Sequence, residues 1–316
     1  METLEIVLLC VVGALALVTL LFFGALYYIY RRTFYCVPGE GDPLEVFEHE
    51  PYLSHREGMM RMINELLAHP FEEVTIRSHD GITLYARYYH VADGAPVDIQ
   101  CHGYRGSAIR DFCGGAHLSR ELGHNILLID ERASGKSEGH TTTFGIKERY
   151  DVLAWANYVA ERFGEDTKIY LYGISMGAAT VVMCRTLPLP RGVVGIFADC
   201  PYDKPYNIIK KVVGTLGYPV EATMKLMCLA AKVFGKFDLE EYDCLRAMRE
   251  ESALPVYLVH GTADDFVPSS MSHNIYKENP EQAKLLLIEG ADHGMSFVTD
   301  PPRYRAYVNE FLEGGN

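Results

Sequence analysis

The first thirty residues stand apart from the rest of the chain because their apolar run is unbroken. No side chain from Ile6 to Tyr30 is charged, and a helix rising about 1.5 Å per residue crosses a hydrocarbon core of about 30 Å within that length. Arg31 and Arg32 follow at once, and basic residues favour the cytoplasmic side of a membrane. The pattern predicts a single-pass anchor in the cell membrane over residues 1–32, with the following domain on the cytoplasmic side.

The alternative for this segment is a cleaved signal peptide. Signal peptides begin with basic residues and end their apolar run at a small-residue cleavage site. Here the run follows Glu2 and Glu5, and no Ala-x-Ala-like site closes it. The membrane anchor is therefore the favoured interpretation.

Residues 33–71 are predicted to be a juxtamembrane linker followed by a helix. Proline, glycine and acidic residues crowd positions 33–51, a composition typical of irregular structure. From 52 to 68 the apolar residues recur at helical spacing, and the pattern stops at His69-Pro70, where a helix is expected to end.

Beyond residue 72 the pattern changes to short apolar strands that alternate with helical stretches. Strands at 74–78 and 82–89 flank an Asp80-Gly81 dipeptide, which is typical of a hairpin turn. Continuous apolar strands with helices between them favour a mostly parallel sheet covered on both faces, so the fold class is α/β. The later strands are expected at 97–101, 125–130, 168–172, 193–199, 255–260 and 284–289, and the helices at 107–122, 145–163, 176–187, 271–279 and 302–312.

A longer interval between Asp199 and Pro255 breaks this alternation. Such an excess over an ordinary connection favours an inserted lid or cap. We expect a helical lid over about 201–253, within a domain that runs from 72 to 316. Three helical patterns fall in it, near 203–213, 221–233 and 240–250.

Composition narrows the function. The formal net charge is −13 and no long basic block occurs, so a nucleic-acid partner is not expected. The eight cysteines are scattered without a C-x-x-C pair, which disfavours a disulfide framework or a zinc site. The apolar surroundings of three of them predict buried free thiols: Cys101, Cys184 and Cys200.

The sharpest motif is G-x-S-x-G at 173–177, placed between a predicted strand and a predicted helix. That context suits a nucleophilic serine, because a tight strand-to-helix turn exposes the hydroxyl of Ser175 at a helix N-terminus. Flanking glycines leave room for the close approach of neighbouring backbone. The alternative is a helix start that is merely rich in small residues, and the flanking elements make it the weaker interpretation.

A serine at neutral pH needs a base, and the base needs an orienting acid. Both are expected after later strands, in the order Ser, Asp, His. His293 is the only histidine after the last predicted strand and is the candidate base, with a plain surface-loop histidine as the alternative. After the strand at 255–260 stand two adjacent acids, Asp264 and Asp265, between which the acid must be chosen.

An oxyanion hole requires two N–H groups beside the nucleophile. One is expected from Met176, the residue after the serine, and one from the loop that follows the strand at 97–101. That places the second donor at Tyr104, with Gly103 leaving room for a substrate carbonyl. Taken alone, this glycine-rich loop is an ordinary helix start, and it gains meaning only together with Ser175.

As a set, these motifs resemble the serine hydrolases of the α/β-hydrolase fold over residues 72–312, and are particularly similar to bacterial membrane-anchored acyl esterases and lipases. The family pattern G-x-x-D-x-x-V-P falls on 261–268 and implies that the triad acid is Asp264. The resemblance implies transfer of an acyl group from a small-molecule or lipid-like ester to water, without a cofactor. The stretches that carry it are HGYRGS, DERASGKSEG, GISMGA, HGTADDFVP and ADHG.

Two further chemistries are disfavoured. Gly135-Lys136-Ser137 resembles part of a phosphate-binding loop, but the position that should be the first glycine is Asp130, an anion where phosphates would lie. We expect Asp130 and Arg132 to brace this loop instead. A metal is not implied either, because no metal-ligand spacing of histidines, cysteines or acids occurs.

The family resemblance leaves alternatives open, since one fold hosts many reactions. A serine peptidase of the prolyl-oligopeptidase type is placed second, because the region before residue 72 is too short for a β-propeller. A catalytically silent binding protein is the alternative from another class. The lid offers apolar residues that could line an acyl pocket, although packing among themselves is slightly favoured: Met224, Leu226, Met227, Leu229 and Phe234.

Overall fold

A computed structural model describes residues 3–39, 44–46, 50 and 52–314. The parts of the linker prediction that fall on 40–43, 47–49 and 51 lie outside these described residues. The predicted limits of the anchor, linker and catalytic domain stay predictions.

The centre of the fold is an eight-stranded sheet in the order β1-β2-β4-β3-β5-β6-β7-β8. β2 is antiparallel to both of its neighbours, and the pairs from β4 to β8 are parallel, which confirms the predicted hairpin and mostly parallel sheet. The strands are β1 Glu72–Arg77, β2 Thr83–Tyr89, β3 Val97–Cys101, β4 Asn125–Asp130, β5 Ile169–Ile174, β6 Val193–Asp199, β7 Val256–Gly261 and β8 Ala283–Ile288.

Helices cover both faces of this sheet. Neighbouring residues of a strand point to opposite faces, so in β5 Leu171 joins one core cluster and Tyr172 the other. This is why the central strands β5, β6 and β7 are mostly apolar on both faces. The helices are α1 Thr3–Thr33, α2 Tyr52–Ala68, α3 Ala108–Asp111, α4 Cys113–Glu121, α5 Glu148–Phe163, α6 Met176–Cys184, α7 Pro205–Thr215, α8 Val220–Ala230, α9 Cys244–Arg249, α10 Ser270–Glu278, α11 Ser296–Thr299 and α12 Pro301–Gly314.

The two faces carry different sets of helices. The cluster that holds α6 also takes residues of α5, α9 and α10. The opposite cluster takes residues of α2, α3, α4 and α12. The predicted lid is a helical insertion made of α7, α8, a π-helical turn at Ala231–Gly235, and α9.

The observed helices differ from the predicted ones in two places. The helix expected at 107–122 is divided at Phe112, whose φ of −107° and ψ of 17° interrupt the helical backbone. Gly114 and Gly115 follow that break, and glycine lowers helix propensity by about 1 kcal/mol relative to alanine. The short α11 has no counterpart among the predicted elements.

The first helix has two parts. Its residues from 3 to 25 are all exposed, whereas Leu26, Tyr30 and the following Phe34 are buried in the core of the domain. Within the described part of the chain, α1 is the one helix long and apolar enough to cross a membrane. Its last turns pack against α8 and the π-helical turn, where the Phe234 ring lies 5.3 Å from that of Tyr27 and 5.8 Å from that of Tyr30.

Candidate active site

The G-x-S-x-G motif forms a sharp turn between β5 and α6. Ser175 has φ 55° and ψ −113°, a positive φ that a side chain tolerates only when its surroundings enforce it. A Cβ on Gly173 would lie 2.2 Å from the carbonyl oxygen of Gly177, and one on Gly177 would lie 1.9 Å from that of Cys101. Both glycines are therefore required by close backbone contacts, as the motif predicts.

The structure brings the three predicted triad residues together. His293 Nε2 lies 2.9 Å from Ser175 Oγ, and His293 Nδ1 lies 2.7 Å from Asp264 Oδ2. With the proton on Nδ1, the imidazole donates to the carboxylate and accepts from the serine hydroxyl. The loops after β5, β7 and β8 supply one residue each, at the carboxyl edge of the sheet.

The Asp264 carboxylate is buried and surrounded by donors. Its Oδ1 accepts the N–H groups of Phe266 at 3.0 Å and Val267 at 2.7 Å. Burial acts to raise its pKa, but hydrogen bonds from His260 and His293 outweigh this and hold the pKa of Asp264 well below the ordinary value. The carboxylate is therefore kept ionised. Asp265 is exposed, and its carbonyl accepts a hydrogen bond from Lys211.

A second histidine, which sequence reasoning missed, supports this carboxylate. His260 is fully buried at the end of β7, and its Nε2 lies 2.8 Å from the carbonyl of Val267 and 3.2 Å from Asp264 Oδ2. Two acceptors at one nitrogen place the proton there, while Nδ1 accepts from Ser272 Oγ at 2.6 Å. The only signal in the sequence was the position of His260 at a predicted strand end.

The base has further support from outside the triad. The Tyr52 hydroxyl of α2 donates to the carbonyl of His293 at 2.8 Å. The ring of Phe266 lies edge-on to the imidazole, with 5.1 Å between centroids. Sequence reasoning missed both, because neither contact follows from a motif.

The loop after β3 lies against the nucleophile. A Cβ on Gly103 would lie 3.4 Å from the Cβ of Ser175. The Gly103 N–H donates to Asp111 Oδ2 at 3.0 Å, and its carbonyl lies 2.8 Å from His102 Nδ1. His102 Nε2 in turn accepts the N–H of Glu131 at 3.1 Å. These bonds fix the backbone next to the serine.

The two predicted oxyanion donors are the next N–H groups along these segments. Neither the Tyr104 N–H nor the Met176 N–H has an acceptor among the described residues. Met176 opens α6, whose N-terminal dipole favours a developing negative charge. Both N–H groups are therefore free to donate to another acceptor.

A cavity of about 520 Å³ opens at Ser175 and His293. It extends over the sheet face covered by α2, α4 and α12. The Gly114 backbone packs so closely on one wall that an added Cβ would lie 2.5 Å from the Phe297 ring. Aromatic side chains form much of its lining: Phe112, Tyr172, Phe197, Phe266, Phe297 and Tyr304.

The helical insertion contributes no residue to this cavity within the described chain. The idea that its apolar residues line an acyl pocket is therefore wrong, and the packing alternative holds for four of the five named residues, because Leu229 is exposed. Met224 is buried in the core, and Leu226, Met227 and Phe234 pack against it. The helical segments that carry these side chains pack against the end of α1 instead.

The DERASGKS loop is braced as predicted. The Lys136 N–H donates to Asp130 Oδ2 at 2.8 Å, and a Cβ on Gly135 would lie 2.1 Å from the same oxygen. Arg132 donates to both oxygens of Asp151, at 2.6 and 2.7 Å. The Asp130 carboxylate occupies the concave side of the loop, which is unsuitable for a phosphate.

One group in the described chain has the composition of a metal site. Cys200, Asp264 and His293 have ligand atoms within 4.8 Å of one another. Burial raises the pKa of the Cys200 thiol well above its ordinary value, and a metal ligand must be the thiolate. Since Asp264 and His293 also bond to each other, their geometry serves proton transfer better than metal binding.

Sequence comparisons find relatives at moderate identity. The chain is 28% identical over 233 residues to the uncharacterized protein YqkD of Bacillus subtilis strain 168, covering 72% of this chain and 75% of that protein. It is 23% identical over 229 residues to the uncharacterized protein YfhR of Escherichia coli K12, covering 70% and 73%. A scan against known protein families finds no match.

Solved structures resemble the chain over most of its length. The Pyrococcus furiosus esterase Pf2001 superposes with a TM-score of 0.65 over 88% of this chain and 97% of that one, at 21% identity. Est1E of Butyrivibrio proteoclasticus, solved with ferulic acid, superposes with a TM-score of 0.58 over 76% and 99%, at 22% identity. The protein therefore has the α/β-hydrolase fold.

Proposed function

We propose that the protein is a membrane-anchored serine hydrolase that cleaves carboxylic esters through an acyl-enzyme intermediate. The observation that carries this proposal is the hydrogen-bonded chain from Ser175 through His293 to Asp264 at the opening of a large cavity. The fold is shared with Pf2001, an esterase by name, which supports an ester as substrate. Many reactions use this fold, so the site rather than the fold carries the argument.

In this reaction the Ser175 hydroxyl attacks the ester carbonyl and passes its proton to His293 Nε2. The imidazolium then gives that proton to the leaving alcohol, and the acyl group stays on the serine. Water repeats the sequence, with its proton going to His293 and then to Ser175 as the acid departs. Asp264 remains ionised throughout, orienting the ring and stabilising its positive charge.

The negative charge of the tetrahedral intermediate falls on the former carbonyl oxygen. The N–H groups of Tyr104 and Met176 serve as its donors in this proposal. Because both belong to backbone held by other contacts, they need little reorganisation when the charge develops. Removing one such donor typically costs about 100- to 1,000-fold in turnover.

The cavity suits the apolar part of an ester. Its aromatic walls favour alkyl or aryl groups. We propose small-molecule or lipid-like esters as the substrate class. A panel of p-nitrophenyl esters of increasing chain length, run beside peptide anilides, measures this directly, and faster cleavage of the anilides would favour a peptidase.

The membrane setting is part of the proposal. The twenty residues from Ile6 to Ala25 are exposed and, except for Thr19, apolar, and about 20 helical residues cover a hydrocarbon core. We propose that they cross the cell membrane once, with the catalytic domain on the cytoplasmic side. Resistance to alkaline extraction, followed by protease accessibility in sealed vesicles of each orientation, tests the anchor and its direction.

A fluorophosphonate probe tests the central chemistry, because it reacts only with an activated serine. We expect labelling of the wild type and of Ser270→Ala, an exposed serine on α10, and none of Ser175→Ala. Equal labelling of the Ser175→Ala variant, or none of the wild type, would contradict the proposal.

A further inference from the structure

The end of α1 is bonded to the loop that carries a proposed oxyanion donor. The Tyr104 hydroxyl donates to the carbonyl of Thr33 at 2.8 Å. The next residue, Arg105, donates from Nη2 to the carbonyls of Arg32 and Tyr35, each at 3.1 Å. Burial raises the pKa of Tyr104 to about 12, so its hydroxyl stays protonated and remains a donor.

The second proposed donor is linked to the same segment by another path. The chain just after α1 runs beside residues 140–142, where the Thr142 N–H donates to the carbonyl of Phe34 at 2.9 Å. The Thr142 hydroxyl lies 3.3 Å from Met176 Sδ. Tyr104 therefore bonds to Thr33 directly, and Met176 contacts Thr142, which bonds to Phe34. Both proposed donor residues are thus linked to residues 33–36.

An aromatic cluster fixes this segment in place. Phe34 is fully buried, with ring centroids 5.9 Å from Phe144 and 5.3 Å from Phe237. The Tyr104 ring stacks on the same Phe144 ring, with 5.0 Å between centroids. Because Phe144 contacts both rings, a shift of Phe34 would also displace the Tyr104 ring.

The loop itself needs such support. Arg105 has a φ of 50°, in the left-handed region that costs a non-glycine residue about 1 kcal/mol or more. A backbone in that state persists only when its surroundings hold it. The hydrogen bonds from Arg105 to the end of α1 are among the contacts that do so.

From these contacts we infer that residues 33–36 are a positioning element of the oxyanion hole, so that the seating of α1 on the domain sets the rate of turnover. This inference rests on the proposed function. The segment acts through Tyr104 and Met176 and touches no reacting atom. Misplaced oxyanion donors weaken transition-state binding more than substrate binding, so the effect belongs on kcat rather than KM.

Tyr104→Phe in the full-length protein is the direct test. It removes the bond to Thr33 but keeps the backbone N–H and the ring. We expect kcat for a short p-nitrophenyl ester to fall about ten-fold, with KM changed less than about two-fold. The matched control is Tyr85→Phe, which loses a hydroxyl bonded to Glu73 on the edge strand β1 and should keep the wild-type kcat.

A second pair of variants separates positioning from general damage. Phe34→Ala removes the ring from the aromatic cluster and should lower kcat further. Phe34→Leu fills most of the same volume and should keep much of the wild-type kcat. A loss of thermal stability in Phe34→Ala with kcat preserved would overturn the inference. So would a Tyr104→Phe enzyme that turns over at the wild-type rate.

Hydrogen exchange gives a readout that needs no turnover. In Tyr104→Phe and Phe34→Ala, amides in the peptide spanning 102–108 should exchange faster than in the wild type, while those of β7 stay unchanged. If the wild type cleaves no ester, the proposed function is wrong. If exchange at 102–108 is unchanged in the variants, the inferred link between α1 and this loop is wrong, whatever the outcome for ester cleavage.

Discussion

At the scale of single residues, the two adjacent acids after β7 have opposite surroundings. Asp264 is buried among four hydrogen-bond donors, and Asp265 is exposed. The carboxylate that faces His293 is the one whose charge the site maintains.

The first prediction uses this pair. Asp264→Asn should lower kcat by about 1,000- to 10,000-fold, because the amide no longer favours the required tautomer of His293. Asp265→Asn should stay within about two-fold of the wild type, since its carboxylate contacts neither triad partner. Steady-state hydrolysis of one ester by both variants measures this. A larger loss of kcat in Asp265→Asn would mean that Asp265, and not Asp264, is the acid of the triad.

A second prediction concerns pH and a buried carboxylate beside the site. Burial raises the pKa of Asp199 to about 6, despite the proximity of His260 and His293 and a hydrogen bond from Ser296. The folded state therefore holds a proton at a pH where the unfolded chain has released it, so the free energy of unfolding falls as pH rises from about 4 to about 7.

The Asn side chain in Asp199→Asn does not titrate, so the free energy of unfolding of this variant should fall less over that pH range. Denaturant unfolding of wild type and variant at about pH 5 and about pH 7.5 gives the comparison, with the difference expected near 1–3 kcal/mol. Part of the slope should remain, because burial also raises the pKa of Asp151 to about 6. Parallel slopes for the two proteins would contradict the assignment.

Reasoning from sequence anticipated the three residues that the structure brings together at Ser175, because each belongs to a short motif at a strand end. It failed for His260 and Tyr52, which act through contacts between segments far apart in the chain. Nothing in the spacing around His260 indicates that its ring turns back toward Asp264.

At the scale of elements, the turn between β5 and α6 depends on missing side chains. The third prediction compares two glycines. Gly177→Ala places a methyl group 1.9 Å from the Cys101 carbonyl oxygen and should destabilise the fold by about 3 kcal/mol or more.

Gly214→Ala is the matched control near the end of α7, where an added Cβ meets its nearest neighbour at an ordinary 3.7 Å. In a helix this change should be neutral or stabilise by up to about 1 kcal/mol. Urea midpoints of the two variants check the contrast, and equal midpoints would show that the close approach at Gly177 relaxes freely.

The same scale shows why strands were easier to predict than helix ends. The strands β4, β5, β6 and β7 are compact, mostly apolar runs buried on both faces. The division at Phe112 and the presence of α11 depend on how α4 and the loop after His293 meet across the cavity. That contact, between Gly114 and Phe297, has no local signature.

At the scale of the whole molecule, α1 has an exposed part, which we propose crosses the membrane, and a buried end, which packs in the folded domain. The fourth prediction separates the two parts. Deleting residues 1–25 removes the exposed apolar stretch and leaves Leu26, Tyr30 and Phe34 in their seats, so the protein should become extractable without detergent and keep its stability.

Deleting residues 1–36 also strips those three buried side chains. Full burial of one such side chain contributes roughly 1.5–3 kcal/mol, so the longer deletion should lower the free energy of unfolding by several kcal/mol. Denaturant unfolding of both proteins, followed by circular dichroism, measures the difference. Equal stability would mean that the contacts at the end of α1 contribute nothing.

The apolar run predicts a membrane helix from its composition alone, but composition carries no information about where such a helix ends against the domain. The contact between Thr33 and Tyr104 joins residues 71 positions apart. Only the assembled fold shows that the end of α1 and the loop of Tyr104 are in contact.

The burial of Phe34 and Tyr30 also bears on how the protein would search for substrate. An enzyme joined to a bilayer by a flexible linker reorients freely and presents its active-site opening in every direction. Here α1 continues as one helix into the packed core of the domain. In the proposed membrane setting, the opening of the cavity would therefore keep one height and one tilt above the lipid surface. Encounters would then be two-dimensional, and esters held at that height would be met far more often than esters in bulk water.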